Sequence, residues 1–478
     1  MKESGLQPRS LGALIAVGLL VLLSGCGPGG AAAQRAKQAP APLKAAASQA
    51  AAGPAAAWPT YGGGPDRWES YPEASVRGLR PAWTTPALDG AVYAQPIWQG
   101  SLAYIATEND TVYAVRLKTG RTVWRRHLGT PVPLGDLPCG DIGPLGITGT
   151  PVLAGGRLYV AAEVEPVQQR LYALDARTGR VLRSWSLDLP GTHAYAQQQR
   201  GALTYLSGTV YVPLGGLYGD CGPYVGQVVA IHPGRAAFAY RVPTARGGAI
   251  WATAGLALGG DGDLYAATGN SASTRAWDGG DSVLRLSPAL KLLGYFAPRN
   301  FPQLNEADLD LGSTAPLPLP GGRLFQIGKE GTGYLLDARE LGGIGHPLAS
   351  GAVCAGAYGG DAYGGGLLYV PCTNGLVALR LTGQGFFAAW RQSGWDAGPP
   401  AVGGGAVFSV DEESGQLEVL AASSGRVLAR ETLGSVPHFD SPALAPGLLL
   451  VDAGQRVKAF TLVGPGAGNR ARAGRGAR

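Results

Sequence analysis

Two stretches of this chain repeat one sentence: Val112 to Trp124, VYAVRLKTGRTVW, and Leu171 to Trp185, LYALDARTGRVLRSW. Each reads as a strand, a tight turn through Thr-Gly, and a returning strand that ends on tryptophan. Gly179 stands where such a hairpin needs positive φ, a conformation glycine adopts at little steric cost. Fainter copies follow at Gln227 to Gly234, Tyr334 to Gly342, Gly375 to Leu381, Gln416 to Leu428 and Arg456 to Val463. A hairpin unit repeated every ~40–60 residues cannot bury a face alone and must stack on copies of itself. That restricts the chain to a propeller or a solenoid.

Between Trp58 and Val463 the same grammar occurs eight times: a lead-in of small residues and proline, a strand, then a hairpin. The lead-ins fall at Gln95-Pro96, Thr150-Pro151, Arg200-Gly201, Ile250-Trp251, Thr314 to Pro316, Asp361, Pro399-Pro400 and Ser441-Pro442. Strands such as RLYVAA (157–162), TVYVPL (209–214) and LLYVPC (367–372) are β-branched and aromatic, and glycines bound them. No stretch sustains a 3.6-residue period. The content of 77 glycines and 15% charged residues suits many turns and few amphipathic helices. The expectation is an all-β chain, an eight-bladed β-propeller of four-stranded antiparallel blades. Its last unit, LLLVDAGQRVKAFTL, lacks an outer strand, and LRPAWTTP at 79–86 can supply one. Pairing the two closes the ring and removes both open edges.

The ends read differently. Residues 1–26 have a basic start (Lys2, Arg9) and a short apolar run, Leu11 to Leu23, the pattern of an export signal. Residues 27–57 are rich in Ala, Pro, Gln and Lys, the composition of a linker. Residues 464–478 form an Arg/Gly-rich tail. The net charge of +6 sits in these ends, and residues 58–463 are left near neutral, so no nucleic-acid partner is indicated. The apolar run stops at Leu23-Ser24-Gly25-Cys26, which resembles the lipobox of bacterial lipoproteins. That resemblance implies cleavage before Cys26, acylation of Cys26, and an extracytoplasmic protein anchored to a membrane by lipid. Four further cysteines remain, Cys139, Cys221, Cys354 and Cys372, and in an exported chain an even number favours disulfides, with three connectivities open. Cys354 and Cys372 share one repeat, which makes Cys354–Cys372 the local pairing and leaves Cys139–Cys221.

The repeat as a whole resembles the pyrroloquinoline-quinone (PQQ) type propellers over essentially all of 58–463. That superfamily holds quinoprotein alcohol dehydrogenases, which are eight-bladed enzymes, and the lipoprotein of the outer-membrane β-barrel assembly machine, a non-enzymatic scaffold. In both, a tryptophan like Trp124 or Trp185 docks between blades. The dehydrogenase likeness rests on GAIWATAGLALGGDGDLYAATGN (248–270), on Asp308-Leu309-Asp310, and on Lys329 in IGKEGTGYLLD. It implies that Trp251 carries the quinone ring and Asn270 binds calcium. It also implies that Asp310 is a catalytic base beside the metal and that Lys329 contacts the quinone oxygens. The chemistry needs such groups: a flat aromatic, hard oxygen ligands, a proton acceptor and a cation for the reduced ring.

The departures from that family lie nearby. Its adjacent cysteines are absent from Leu137 to Ile142, and its glutamate ligand falls near Tyr218 to Cys221, where Asp220 is the one carboxylate. His127, His193, His232, His346 and His438 lack metal-ligand spacing, and no CxxCH haem motif is present. Two functions follow as expectations. One is a dehydrogenase oxidising an alcohol with PQQ and Ca²⁺ and passing electrons to a separate acceptor. The other is an envelope scaffold that binds a protein partner.

Overall fold

The computed structural model describes residues 57–465, and these residues build an eight-bladed β-propeller of mainly antiparallel sheets with four or five strands each. The export signal, Cys26, the linker and the basic tail lie outside the described residues, save for Ala57 and Gly464-Pro465. The ring closes as the missing outer strand requires. Gly78–Thr84 pairs antiparallel with Val457–Val463 to complete blade 8, in a register running from Gly78 opposite Val463 to Thr84 opposite Lys458. Both expected disulfides form, Cys139–Cys221 and Cys354–Cys372, each with Cα atoms 6.0 Å apart. One element has no counterpart in the sequence reading. Phe301–Ala307 is an α-helix (α1) between blades 4 and 5, about two turns long and too short to display a period. Among the described residues no helix is long and apolar enough to cross a membrane.

The repeated sentence becomes a repeated joint. Trp124, on the outer strand of blade 1 (Thr122–His127), lies flat against Gly179 in the turn of blade 2 and donates its indole N–H to Ala176 O at 3.2 Å. Trp83 of blade 8 meets Gly120 and Leu117 O (3.0 Å) in the same way, as Trp390 of blade 6 meets Gly425 and Ala422 O (2.9 Å). Each glycine has φ near +70 (66, 70 and 69), and a Cβ there would fall 2.5–2.7 Å from the indole. The Thr-Gly turn is therefore doubly constrained, by backbone angle and by the ring resting on it. Trp185 of blade 2 packs against the neighbouring core but has neither the glycine contact nor the bond. Blade 3 turns through His232-Pro233-Gly234, and the buried Trp185 indole N–H finds no protein acceptor.

What positions the centre is the segment from Ala57 to Arg77, which reaches every blade. Trp58 pairs with Trp98 in blade 1, and Pro59 O accepts Leu153 N of blade 2. Arg67, fully buried, donates to Leu203 O, Thr204 Oγ1 and Leu256 O of blades 3 and 4. Trp68 donates to Pro318 O in blade 5 and accepts from Tyr363 N in blade 6. Ser70–Tyr71 adds a parallel edge to blade 7, and Glu73 accepts Gly447 N of blade 8. Tyr61 packs among Ala202, Ala252, Ala254 and Ala315, small residues from the lead-ins of blades 3 to 5. The central channel is thus filled by the chain's own N-terminal segment.

Candidate functional site

The lead-ins run toward the ring axis, and there the family-type residues gather. Trp251 enters from blade 4, Tyr358 from blade 6 and Phe439 from blade 8. Trp251 lies 6.2 Å from Tyr358 and 6.1 Å from Phe439, ring centre to ring centre, while Tyr358 and Phe439 stack at 5.7 Å with 16° between planes. Blades 4 and 8 are opposite in an eight-membered ring, so these aromatics span the axis. Phe439 reaches across with φ 64, a left-handed backbone that costs a residue with a Cβ about 1–2 kcal/mol. Its packing offsets that cost.

Beside the rings stands an ionic group. Lys329 Nζ lies 2.7 Å from Asp310 Oδ2 and 3.2 Å from Asp308 Oδ1, and 5.8 Å above the Trp251 ring. Asp310 Oδ1 accepts the Asn270 backbone N–H at 2.6 Å, and Asp308 Oδ1 accepts the Asn270 side-chain amide at 2.6 Å. The local chain dictates this placement: α1 ends at Asp308 in a left-handed cap, and the turn to Asp310 carries both carboxylates under Lys329. Burial pushes the Asp310 carboxyl above the usual range, against the pull of Lys329 and of the Asn270 N–H. Burial alone would lower Lys329, but Asp310 and Asp308 outweigh it and hold the ammonium above its ordinary value.

A second ionic group touches the rings from the other side. Arg200, 8% exposed, lies 5.8 Å over the Phe439 ring, 3.5 Å from Asp141 Oδ1 and 3.3 Å from His438 Nε2. His438 is 3.5 Å from Asp141 Oδ2 and edge-on to Tyr93. Burial and the Arg200 charge both push His438 below its usual value, with Asp141 opposing them. Tyr93, Asp141, Tyr358, His438 and Phe439 were not expected at a site. They sit in lead-ins and loops, where nothing local in sequence marks them. The one available signal was their position, close to a lead-in.

Four expected residues, Trp251, Asn270, Asp310 and Lys329, come together. Asp220 does not join them: its carboxylate accepts the Tyr224 hydroxyl, and its backbone is left-handed (φ 53). Calcium would have to compete with Lys329 for these oxygens. That ion takes six to eight oxygen ligands. Here both carboxylates are already bonded to Lys329 and Asn270, and among the described residues no three His, Cys, Asp or Glu side chains are placed to hold a metal. Tyr358 and Phe439 stand beside Trp251 at a tilt of about 50°, not stacked on its face. Cys139, in the stretch where the family has adjacent cysteines, is tied to Cys221 instead.

A family model described as "Outer membrane protein assembly factor BamB" matches residues 62–289. Tetrathionate hydrolase of Acidithiobacillus ferrooxidans is 25% identical over 184 residues, 38% of this chain and 34% of that protein. Quinohemoprotein alcohol dehydrogenase ADH-IIG of Pseudomonas putida is 28% identical over 145 residues, 30% of this chain and 19% of that one. The alignments thus span about a third and a fifth of the two relatives. The solved structure of ADH-IIG superposes with a TM-score of 0.66 at 17% identity, covering 86% of this chain and 80% of its own. A europium-containing methanol dehydrogenase superposes at 0.65 and 15%, covering 85% and 98%. At such identities the superpositions establish a shared fold.

Proposed function

We propose that this PQQ-type repeat β-propeller is a non-catalytic binding propeller of the cell envelope, held to a membrane by lipid on Cys26, whose axial site has become structural. The observation that carries this reading is the position of Lys329 Nζ between Asp310 and Asp308. A divalent ion here would have to displace that ammonium, which already occupies the carboxylate oxygens it would need. The one ammonium offsets one of the two carboxylate charges and already holds an oxygen of each. The partial match to an assembly-factor family points the same way, toward a protein partner met on the rim.

The test is reconstitution. Purified protein mixed with PQQ and Ca²⁺ should show neither the bound-quinone absorbance nor dye reduction with a series of primary and secondary alcohols. Alcohol-dependent dye reduction that disappears in Asp310→Asn would overturn the reading. For the anchor, Cys26→Ala should release the protein from the membrane fraction and abolish incorporation of a labelled fatty acid.

One observation favours the older chemistry. Trp251, Asn270, Asp310 and Lys329 converge, and Asn270 Oδ1 is a buried acceptor without a protein partner. On that second reading the chain is a quinone-dependent alcohol dehydrogenase in which Lys329 withdraws from Asp310 when the site is loaded. Trp251 would then carry the ring, Asn270 and Asp310 would face the ion, and a separate carrier would take the electrons. Calcium-dependent quenching of Trp251 fluorescence by PQQ in the wild type would select it.

A further inference from the structure

Blade 1 carries a pocket of about 340 Å³, lined by Asp89, Asn109, Thr111, Arg125 and His127, that plays no part in the axial site. It lies at the tip of the hairpin joining Leu102–Thr107 to Thr111–Arg116. The register puts Thr111 opposite His127 and Tyr113 opposite Arg125, so alternate residues of two neighbouring strands present these side chains on one face. Arg125 and His127 are exposed, and Thr111 is buried beneath them.

The hydrogen bonds fix the chemistry of the histidine. Asp89 is an anion wrapped in donors. Its Oδ1 accepts Thr107 Oγ1–H at 2.9 Å and its Oδ2 accepts Thr111 Oγ1–H at 2.7 Å. Burial raises its carboxyl, but donors from Thr111, Asn109, Thr107 and Tyr113 outweigh that and hold it below the usual range. A hydroxyl has one proton, and Thr111 gives it to the carboxylate. The contact between Thr111 Oγ1 and His127 Nδ1, 3.0 Å, must then run the other way, with Nδ1–H donating. Neutral His127 therefore presents Nε2 as a bare acceptor, with a guanidinium on the same face.

We propose that this pocket binds hydrogenphosphate, an oxyanion that still carries a proton near neutrality, through Arg125 on its charged oxygens and His127 Nε2 on its P–O–H. The Asp89 carboxylate lines the same space, and Arg125 has to outweigh its charge. Sulfate has the same shape and charge near neutrality but no proton to donate. A site with a fixed acceptor gains no hydrogen bond from sulfate there and binds it more weakly.

The test is titration calorimetry at pH about 8, where free imidazole is neutral, with inorganic phosphate and with sulfate. Phosphate should bind up to ~10-fold more tightly than sulfate, the discrimination of one net hydrogen bond at an exposed site. Arg125→Gln should weaken phosphate by a similar factor. Thr111→Val removes the acceptor that holds the proton on Nδ1, so the proton can move to Nε2 and the preference should shrink to within ~3-fold. Equal affinities for the two anions in the wild type, or binding of neither, would overturn the proposal, as would a folded Thr111→Val that keeps the full preference. If that variant does not fold, the wild-type comparison decides alone. Lys329 and Asp310 variants should leave the preference unchanged.

Discussion

Trp124 and Trp251 are both half-buried tryptophans of the same ring, held in place by opposite means. Trp124 obeys a local rule: a Thr-Gly turn one blade onward gives it a flat glycine and a carbonyl three residues earlier. The same rule serves Trp83 and, with Ser424 in place of threonine, Trp390, and it can be written from sequence because its parts hold fixed places in neighbouring repeats. Trp251 obeys no such rule. Its neighbours Tyr358, Phe439 and Lys329 come from other blades, and none occupies a position that recurs. The rim repeats because each joint solves one packing problem. The axis cannot repeat, because side chains from different blades share a single small space.

That contrast can be broken most severely at the rim. Trp124→Ala should cost about 2–4 kcal/mol, through the loss of a half-buried ring and of its packing over Gly179. Its measure is the denaturant midpoint at unchanged m-value. At the axis, Lys329→Met leaves Asp310 with no cation, and the cost should be about 2–3 kcal/mol, less than for a group unable to take up a proton. Adding Asp310→Asn should recover most of it. A double variant no more stable than Lys329→Met would show that the ion pair does not couple as described.

The interior also sets a pH dependence that a rim of neutral joints would not. Burial raises Glu69 to about 8, Glu108 to about 7, Asp281 to about 8 and Asp110 to about 9. The folded state thus keeps protons that the unfolded chain releases near pH ~4. Stability is fully present below that value and is lost as pH rises through about 7 to 9, a fall on the order of a few kcal/mol. Thermal scans should give a higher Tm near pH ~5 than near pH ~9; a flat or opposite trend would contradict the burial of these groups. The smallest effect separates two joints. Trp124→Phe should cost about 1 kcal/mol more than Trp185→Phe, since only Trp124 loses an indole hydrogen bond.

Much of the fold was legible: eight lead-ins, the closing strand at the front and both disulfides are local or additive features. The site was half legible. Trp251, Asn270, Asp310 and Lys329 sit in short contiguous motifs, whereas Arg200, Asp141, Tyr358, His438 and Phe439 gain meaning only when distant lead-ins converge. His438 is instructive, because its lack of metal spacing in sequence gave no hint of its contact with Asp141, nearly three hundred residues away. The filling of the channel by Ala57 to Arg77 was missed for the same reason. Arg67 bonds to Leu256, 189 positions on, and no period or motif encodes such a reach.

That segment has a consequence for the order in which the molecule assembles. It is the first part of the propeller to be synthesised, yet its bonding partners are spread over all eight blades. It cannot settle until the last blade is complete, and Gly78–Thr84 cannot close the seam until Val457–Val463 exists. Contacts of such long sequence separation slow folding and leave edges open meanwhile. A chain made from its N-terminus therefore places its earliest residues last, and the ring passes from an open arc to a locked circle in one late step.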